Sequence, residues 1–378
     1  MPNLSPQALS QLAINIKKWA LELGFQQCGI TDCDLSIEKE HYEQWIQAGY
    51  HGEMNYLNNH LDKRFSAGSL LPGTERIICV RMDYLPPETS AADTLDDGEN
   101  AYISRYTLGR DYHKLIRKRL TLLGKRINEE VGETVFRAFV DSAPILERPL
   151  AEKAGIGWRG KHTLVINKEA GSLFFLGELL IDLPLPIDKP ADENHCGKCT
   201  ACIDVCPTQA FPQPNVLNAT RCISYLTIEL KGSIPLELRP KMGNRIFGCD
   251  DCQLICPWNK FADFTQETDF HPRQKLDRSE LITLFNWDEA TFLKKTEGSA
   301  IRRTGHIGWL RNIAIALGNS KGGTEVINAL REKLNHDSEI VQEHALWAIK
   351  QLTAKEERRI AEDILPIHIH PRRAKIRF

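Results

Sequence analysis

Apolar residues recur every three to four positions in two long stretches of the chain. Residues 9–24 show this spacing and end at Gly24. Tyr112–Val131 shows it again with many basic residues between the apolar ones, and Gly132 follows. The spacing is that of an amphipathic helix, and a glycine commonly ends one. We therefore predict a helix in each stretch.

Three short apolar runs rich in branched residues alternate with these helical stretches. They cover residues 76–82, 134–140 and 163–166, and polar or turn residues bound each run. Such runs are typical of buried strands. Because strands alternating with helices favour an α/β sheet layer, residues 1–185 are predicted to form an α/β domain, within a chain whose overall class is mixed α+β and α/β.

Prolines punctuate residues 183–190 and mark a linker. A cysteine-rich segment begins directly after it, and the chain beyond Asp277 is helical in pattern and free of cysteine. We therefore predict three domains, at residues 1–185, 186–277 and 278–378, the last of them α-helical.

Two segments of the last domain resemble each other. Residues 310–317 and 341–348 lie 31 residues apart and carry an alanine at the same offset, Ala314 and Ala345. Small residues at such positions let helices pack closely, so the pair resembles two HEAT-like repeats. Two unrelated amphipathic helices are the alternative.

Composition and charge restrict the class of protein. The 378 residues are 42% hydrophobic and 26% charged, which is ordinary for a globular chain. Neither a signal peptide nor an apolar run long enough to span a membrane is visible, so we expect a cytoplasmic protein that does not contact a membrane. Residues 301–378 hold 14 Lys or Arg against 9 Asp or Glu. Residues 368–377 form a basic tail without an acidic residue, and this tail and the excess suit either a polyanion contact or a solvated surface.

Eight of the eleven cysteines lie between Cys196 and Cys256. In a reducing compartment, such clustering indicates metal binding rather than disulfides. The segment from Cys196 to Pro207 matches the bacterial C-x2-C-x2-C-x3-C-P run of two-cluster ferredoxins, in which the fourth cysteine binds the other cluster. A second run from Cys249 to Pro257 is one cysteine short, and Cys222 completes it.

The spacing therefore predicts a ferredoxin-like domain with two 4Fe–4S clusters and assigns all eight cysteines. One cluster takes Cys196, Cys199, Cys202 and Cys256, and the other takes Cys206, Cys222, Cys249 and Cys252. A pair of zinc sites is the alternative, but it leaves the two Cys-Pro endings without a role. The clusters pass electrons one at a time, so residues 1–185 must supply the reactive centre.

Generic motifs do not identify that centre. The chain has no G-x-G-x-x-G dinucleotide motif. Asp111 and His113 approach the D-x-H-x-x-G pattern by which some cobalamin proteins offer a histidine to cobalt, but Ile116 stands where the glycine belongs. This is a poor cobalt-ligand signal.

Longer strings carry a family resemblance over essentially the whole chain. They include residues 52–57, 106–113, 140–148, 155–163 and 222–227, together with the two cysteine runs. In combination, these strings resemble the epoxyqueuosine reductase family. His162 departs from the asparagine that often follows Gly160-Lys161 in that family.

The resemblance implies an oxidoreductase that reduces epoxyqueuosine to queuosine in the anticodon loop of tRNA. It implies base-off cobalamin in the N-terminal domain, electrons from the two clusters, a proton from an aspartate and a C-terminal HEAT-like domain. An external electron donor and a monomeric chain are the other expectations. Two rivals stay open: a reductive-dehalogenase-like enzyme for a small molecule, and an electron carrier that uses the clusters alone.

Asp141 matches the family's acid. It ends the predicted strand at residues 134–140, where burial is expected to raise the pKa of its carboxyl above about 3.9. A helix N-cap or turn role is the alternative.

Candidate cobalamin contacts follow from the resemblance as well. A glycine loop can bring backbone N–H groups to propionamide or phosphate oxygens, and the predicted contacts are Arg64, Gly160, Lys161, His162, Thr163, Ser224 and Tyr225. For Arg64, an exposed helix charge is the alternative. The candidates for phosphate contacts with tRNA are Arg302, Arg303, Arg311, Arg372, Arg373 and Lys375.

Overall fold

The computed structural model describes residues 4–87, 90–191 and 194–364 of the chain. Its strands are β1 (Gln27–Thr31), β2 (Arg76–Asp83), β3 (Tyr102–Ile103), β4 (Phe136–Phe139), β5 (Trp158–Arg159), β6 (Val165–Ile166), β7 (Phe174–Ile181) and β8 (Arg245–Phe247). Its helices are α1 (Pro6–Glu22), α2 (Ser36–Gln47), α3 (Leu61–Arg64), α4 (Ala67–Leu70), α5 (Ala91–Asp96), α6 (Tyr112–Val131), α7 (Glu147–Lys153), α8 (Ala201–Asp204), α9 (Ile223–Ile228), α10 (Asp251–Leu254), α11 (Leu281–Phe285), α12 (Glu289–Lys295), α13 (Gly305–Asn319), α14 (Thr324–Glu332) and α15 (Glu339–Ile364).

The main sheet has the strand order β1-β2-β7-β4, and every neighbouring pair in it is antiparallel. The strands predicted at residues 76–82 and 134–140 are confirmed as β2 and β4. The predicted α/β layer is corrected to α+β, because the connections between these strands return antiparallel and do not form parallel crossovers.

Two strands of the main sheet escaped the sequence prediction. β7 is buried on both faces along almost its whole length, so it lacks the alternation of a half-buried strand, and the edge strand β1 is short. The run at residues 163–166 contributes only β6, which pairs with β5 outside the main sheet.

Helices cover both faces of the main sheet. α1 and α6 pack on one face in a core that includes Ile16, Ile116 and Leu120, and both predicted helices are confirmed. Gly132 follows α6 with a φ of 90°, a conformation that favours glycine. α7 packs on the opposite face through Leu150. The turn between β4 and α7, residues 140–146, therefore lies at one end of the sheet.

The C-terminal helices share one core with earlier parts of the chain. The predicted repeat at residues 310–317 and 341–348 falls on α13 and α15, which pack together through Ala314 and Ala345. The same core includes Ile103 of β3 and Phe247 of β8, which pair in parallel. The HEAT-like classification and the domain boundaries stay predictions. No helix in the described ranges is long and apolar enough to cross a membrane.

Candidate active site

Four of the predicted cluster ligands line one cavity. The cavity has a volume of about 320 Å³, and its walls include Cys196, Cys199, Cys202 and Cys256. Burial raises the pKa of the Cys202 thiol to about 11, and the neighbouring Cys196, Cys256 and Cys199 contribute to the rise. Four cysteine thiols around one cavity are the ligand set of a 4Fe–4S cluster, and each thiol would lose its proton on binding the metal.

The other four predicted ligands also lie near one another. Burial raises the pKa of Cys252 well above its ordinary value, and Cys222 and Cys206 add to this effect. Burial raises the pKa of Cys249 in the same way, and Cys222 is again among the causes. Cys202 of the first group acts on Cys252 too, so the two groups are adjacent. We call the cavity group the outer cysteines, since it contains the exposed Cys199, and the second group the inner cysteines.

Ser224 and Tyr225 lie beside an inner cysteine. Cys222 is the N-cap residue of α9. Backbone N–H groups of Tyr225 and Ser224 donate hydrogen bonds to its sulfur and lower the pKa of the thiol, but burial has the larger effect and the net pKa is raised. The Tyr225 hydroxyl accepts a hydrogen bond from the backbone N–H of Glu53 at 2.8 Å. The predicted contact of Ser224 and Tyr225 with cobalamin stays a prediction.

Lys161 and His162 lie at the outer cysteines. The Lys161 ammonium donates to the carbonyl oxygens of Gly197 at 2.7 Å and Cys199 at 2.8 Å, and so holds the first cysteine loop. His162 is buried and lines the cavity, and burial lowers its pKa to about 4, so its ring is neutral. Their contacts are with protein groups, and cobalamin contact remains a prediction.

Gly160 and Thr163 close the turn between β5 and β6. The Thr163 N–H donates to the Gly160 carbonyl oxygen at 2.8 Å, and the Thr163 carbonyl oxygen accepts from the Arg148 guanidinium at 3.0 Å. The predicted contacts of Gly160 and Thr163 with cobalamin stay predictions.

Arg64 is buried, which excludes the alternative of an exposed helix charge. Its guanidinium donates to the carbonyl oxygens of Leu57 at 3.0 Å and Tyr56 at 2.9 Å. These are the contacts of a residue that holds a neighbouring loop in place. A role toward cobalamin stays a prediction beside this structural one.

Asp141 follows β4 in the turn that leads to α7. Its side chain is 50% exposed, and its φ of 53° lies in the left-handed region. Its Oδ2 accepts a hydrogen bond from the Tyr112 hydroxyl at 2.7 Å and lies 3.4 Å from Nε2 of His113. Leu146 is the N-cap residue of α7, so the helix-cap half of the alternative for Asp141 is wrong, whereas its position in a turn is confirmed.

The ionisation of Asp141 differs from the sequence prediction. Burial raises its pKa, but hydrogen bonds from His113 and Tyr112 outweigh burial, and the net pKa is lowered. Burial likewise lowers the pKa of His113, but Asp111, at 2.6 Å from its Nδ1, and Asp141 raise it to about 9. At neutral pH, Asp141 is therefore ionised and His113 carries the proton.

A cationic residue from the C-terminal part also faces this site. Arg303 pairs with Glu229 at 3.0 Å, its side chain is half exposed, and its charge acts on both Asp141 and Tyr56. Arg311, in contrast, is 1% exposed and cannot reach a phosphate, so its predicted tRNA contact is wrong. Arg372, Arg373 and Lys375 lie outside the described residues.

Aromatic residues connect the inner cysteines with Asp141. Burial raises the pKa of Tyr84, with Cys252 among its neighbours, and the Tyr84 ring lies 6.4 Å from that of Tyr106. The Tyr106 ring lies 6.2 Å from that of Tyr112, which donates to Asp141. This series of rings therefore links the inner cysteines with Asp141.

Sequence reasoning missed several residues of this site. Asp111 and His113 drew notice only as a poor cobalt-ligand pattern, and nothing local indicated that His113 meets Asp141. Glu147, which accepts a hydrogen bond from the backbone N–H of Asp141, and the buried Glu178 beside it were also missed. For Glu178, a lone carboxyl inside the apolar run of β7 was an available signal.

Two family profiles match the chain. Residues 195–259 match the profile described as a 4Fe–4S double cluster binding domain. Residues 64–142 match the profile described as Epoxyqueuosine reductase QueG, DUF1730.

Curated relatives match over nearly their full length. The chain is 57% identical to an epoxyqueuosine reductase of Pseudomonas aeruginosa over 349 residues, which is 92% of this chain and 97% of the relative. It is 56% identical to the Escherichia coli epoxyqueuosine reductase over 361 residues, or 96% of this chain and 95% of the relative.

Solved structures of epoxyqueuosine reductases are similar as well. A selenomethionine-labelled one superposes with a TM-score of 0.84 at 29% identity, covering 94% of this chain and 96% of that one. Another, bound to an epoxyqueuosine-modified tRNA stem loop, has a TM-score of 0.83 at 29% identity, and the match covers 94% of this chain and 95% of that one.

Proposed function

The chain belongs to the epoxyqueuosine reductase family, an oxidoreductase family of queuosine synthesis, and we propose that it reduces epoxyqueuosine to queuosine in the anticodon loop of tRNA. The observation that carries the proposal is identity above one half over more than nine-tenths of the chain. The tRNA stem loop bound by a structural relative supports the substrate.

The matched double-cluster profile gives the chain its iron–sulfur chemistry. We infer that the outer cysteines hold one 4Fe–4S cluster and the inner cysteines the other. The shared cavity of the outer group and the mutual proximity of the inner group support these sets. When bound, the clusters pass single electrons inward from an external donor.

Cobalamin is proposed as the group that meets the epoxide. The side chains around Asp141 include those of His113, Tyr112, Tyr56 and Arg303, and none of these stores two electrons. When bound in the base-off form and reduced, cobalamin supplies the nucleophile and the electrons that open the epoxide. Ser224, partly buried beside Cys222, and Tyr225 are the predicted contacts closest to the inner cysteines.

The proton comes from the His113–Asp141 pair. Reduction of the epoxide consumes two electrons and two protons and yields an alkene and water. His113 carries a proton at neutral pH but is only 20% exposed, whereas Asp141 is 50% exposed. We infer that Asp141 passes this proton to the epoxide oxygen as the first carbon–oxygen bond breaks, which is general acid catalysis. A second proton, taken up from solvent through the half-exposed Asp141, completes water as the second carbon–oxygen bond breaks.

Arg302 and Arg303 are the described candidates for tRNA contact. Both are exposed, and Arg303 faces the same site as Asp141. Cations at this position would bind the phosphates beside the modified nucleotide, and such contacts weaken as salt rises.

Replacement of Asp141 by Asn tests the proposal. The amide keeps the shape but cannot transfer the proton, so we expect turnover of epoxyqueuosine-bearing tRNA to fall by about 10²–10⁴-fold. Cobalamin content and cluster absorption should equal those of the wild type. Asp96→Asn, at an exposed position of α5, is the matched control and should keep full turnover. Wild-type turnover in Asp141→Asn with its cofactors bound would reject the acid role.

A further inference from the structure

Glu178 is a fully buried carboxyl in the middle of the main sheet. It lies on the central strand β7, opposite Cys79 of β2 and Phe139 of β4, and its exposed fraction is 0%. Among the described residues, no N–H or alcohol O–H donates to either carboxyl oxygen, and the carboxyl of Glu147 is the partner beside it. Burying an ionised carboxylate without a partner is strongly unfavourable, so Glu178 must hold a proton.

Glu147 lies next to Glu178 and connects it with the active site. It occupies the first turn of α7, and its Oε1 accepts a hydrogen bond from the backbone N–H of Asp141. Burial raises the pKa of Glu147 to about 7, with the Asp141 charge adding to the rise. Burial and the adjacent Glu147 raise the pKa of Glu178 well above its ordinary value. Two adjacent carboxyls, one of which is fully buried, cannot both ionise readily, so they share a proton at neutral pH.

The hydrogen bond to Glu147 restrains a disfavoured backbone conformation. Asp141 has a φ of 53°, which a residue with a Cβ adopts rarely and keeps only where its surroundings hold it. The Glu147 carboxylate oxygen fixes the N–H of the very residue whose side chain meets His113 and Tyr112.

We propose that Glu147 is a positioning residue for the reduction, held in place by a proton that it shares with Glu178, and that it aims the Asp141 carboxyl at the substrate. This inference deepens the proposed function and rests on it for its catalytic meaning. The mechanism above does not otherwise use either glutamate.

A pH dependence follows from the shared proton. The ionisable groups that face the pair are Asp141, Cys79 on β2, Tyr112 on α6 and Arg148 on α7. Below pH about 7 the pair keeps its proton, and above it two like charges face each other, one of them on the buried Glu178. The positioning of Asp141, and with it kcat, should therefore decline as pH rises through about 7.

Three variants test the proposal. Glu147→Ala removes the acceptor, so kcat should fall at least tenfold while KM for the tRNA changes less than twofold. Glu147→Gln keeps an oxygen for the Asp141 N–H and donates its amide to Glu178, so it should retain most of the activity and lose the decline near pH 7. Glu178→Gln should also lose this decline. Glu130→Ala, at an exposed position of α6, is the control.

A second reading does not depend on turnover. Asp111 and Asp141 together raise the pKa of His113 to about 9, so loss of the Asp141 contact should lower this pKa, which can be followed by NMR with labelled histidine, assigned with His113→Gln. It should move toward 6.5 in Glu147→Ala and stay near 9 in Glu147→Gln. Iron content and the unfolding midpoint check that each variant folds.

The two readings separate failure of the inference from failure of the proposed function. An unchanged His113 pKa in folded Glu147→Ala overturns the positioning role, and so does a Glu147→Gln variant as impaired as Glu147→Ala. A wild-type enzyme that leaves epoxyqueuosine intact rejects the proposed function instead, and the NMR titration then still decides the positioning role.

Discussion

His113 and Asp141 form an ion pair in which the imidazole is the proton carrier at neutral pH. Asp111 accepts from the other ring nitrogen and so holds the ring toward Asp141. The pKa of His113 is raised from 6.5 to about 9. A raised histidine pKa stabilises the folded protein fully below pH 6.5, and this stabilisation is lost as pH rises through about 9.

Replacement of His113 by Gln should change both rate and pH profile. The variant lacks the proton carrier, so we expect kcat/KM to fall about 100-fold, as for loss of a general acid–base group. Wild-type kcat/KM should show a downward step near pH 9, distinct from the decline near pH 7, and His113→Gln should lack it. His41→Gln, at an exposed position of α2, serves as the control. A step near pH 9 that persists without His113 would assign it to another group.

For single residues, the sequence predicts which side chains belong to a site better than it predicts their ionisation states. The cysteine spacing indicated which thiols act together, because ligand spacing within a cluster run is local. The pKa of Asp141 was predicted in the wrong direction, because its partners Tyr112 and His113 come from the start of α6, nearly thirty residues earlier. Arg311 was counted as a surface charge, because composition does not distinguish a buried cation from an exposed one.

At the scale of elements, α13 connects the C-terminal helices with the cysteine-rich segment. Its buried Arg311 donates to the carbonyl oxygens of Leu226 at 2.6 Å, Leu230 at 2.8 Å and Gly232 at 2.8 Å. These carbonyls lie at the end of α9 and in the chain after it. Because Cys222 caps the start of α9, α13 helps to fix the position of an inner cysteine.

Replacement of Arg311 by Met should destabilise the protein without removing a catalytic group. Each buried carbonyl left without a donor costs about 1–3 kcal/mol, so we expect the unfolding midpoint to fall by several degrees. Differential scanning calorimetry measures this shift. Arg302→Met, at an exposed position, should leave the midpoint unchanged. Equal midpoints for Arg311→Met and the wild type would contradict the connecting role.

Elements with a clear period were predictable, and those without one were not. α1, α6, β2 and β4 followed from their spacing or composition. β7 was missed because a strand buried on both faces shows no alternation. Strand direction was beyond local pattern as well, since antiparallel pairing depends on contacts distant in the sequence.

At the scale of the whole molecule, the proposed site collects residues from all three parts of the chain. Asp141 comes from the turn after β4, the inner cysteines from the segment between β7 and α11, and Arg303 from the start of the C-terminal helices. Among the outer cysteines, Cys199 is exposed, so an external electron donor can approach this group. This order of groups agrees with electrons that enter at the outer cysteines and a proton delivered at Asp141.

The most direct test is the mass of the modified nucleoside after reaction. The enzyme, loaded with iron–sulfur clusters and cobalamin, is incubated without oxygen with reductant and an epoxyqueuosine-bearing tRNA stem loop, and the digested nucleosides are analysed by mass spectrometry. We expect epoxyqueuosine to be replaced by a product lighter by one oxygen atom, only when reductant is present. Unchanged epoxyqueuosine with fully loaded, reduced enzyme would contradict the proposed function.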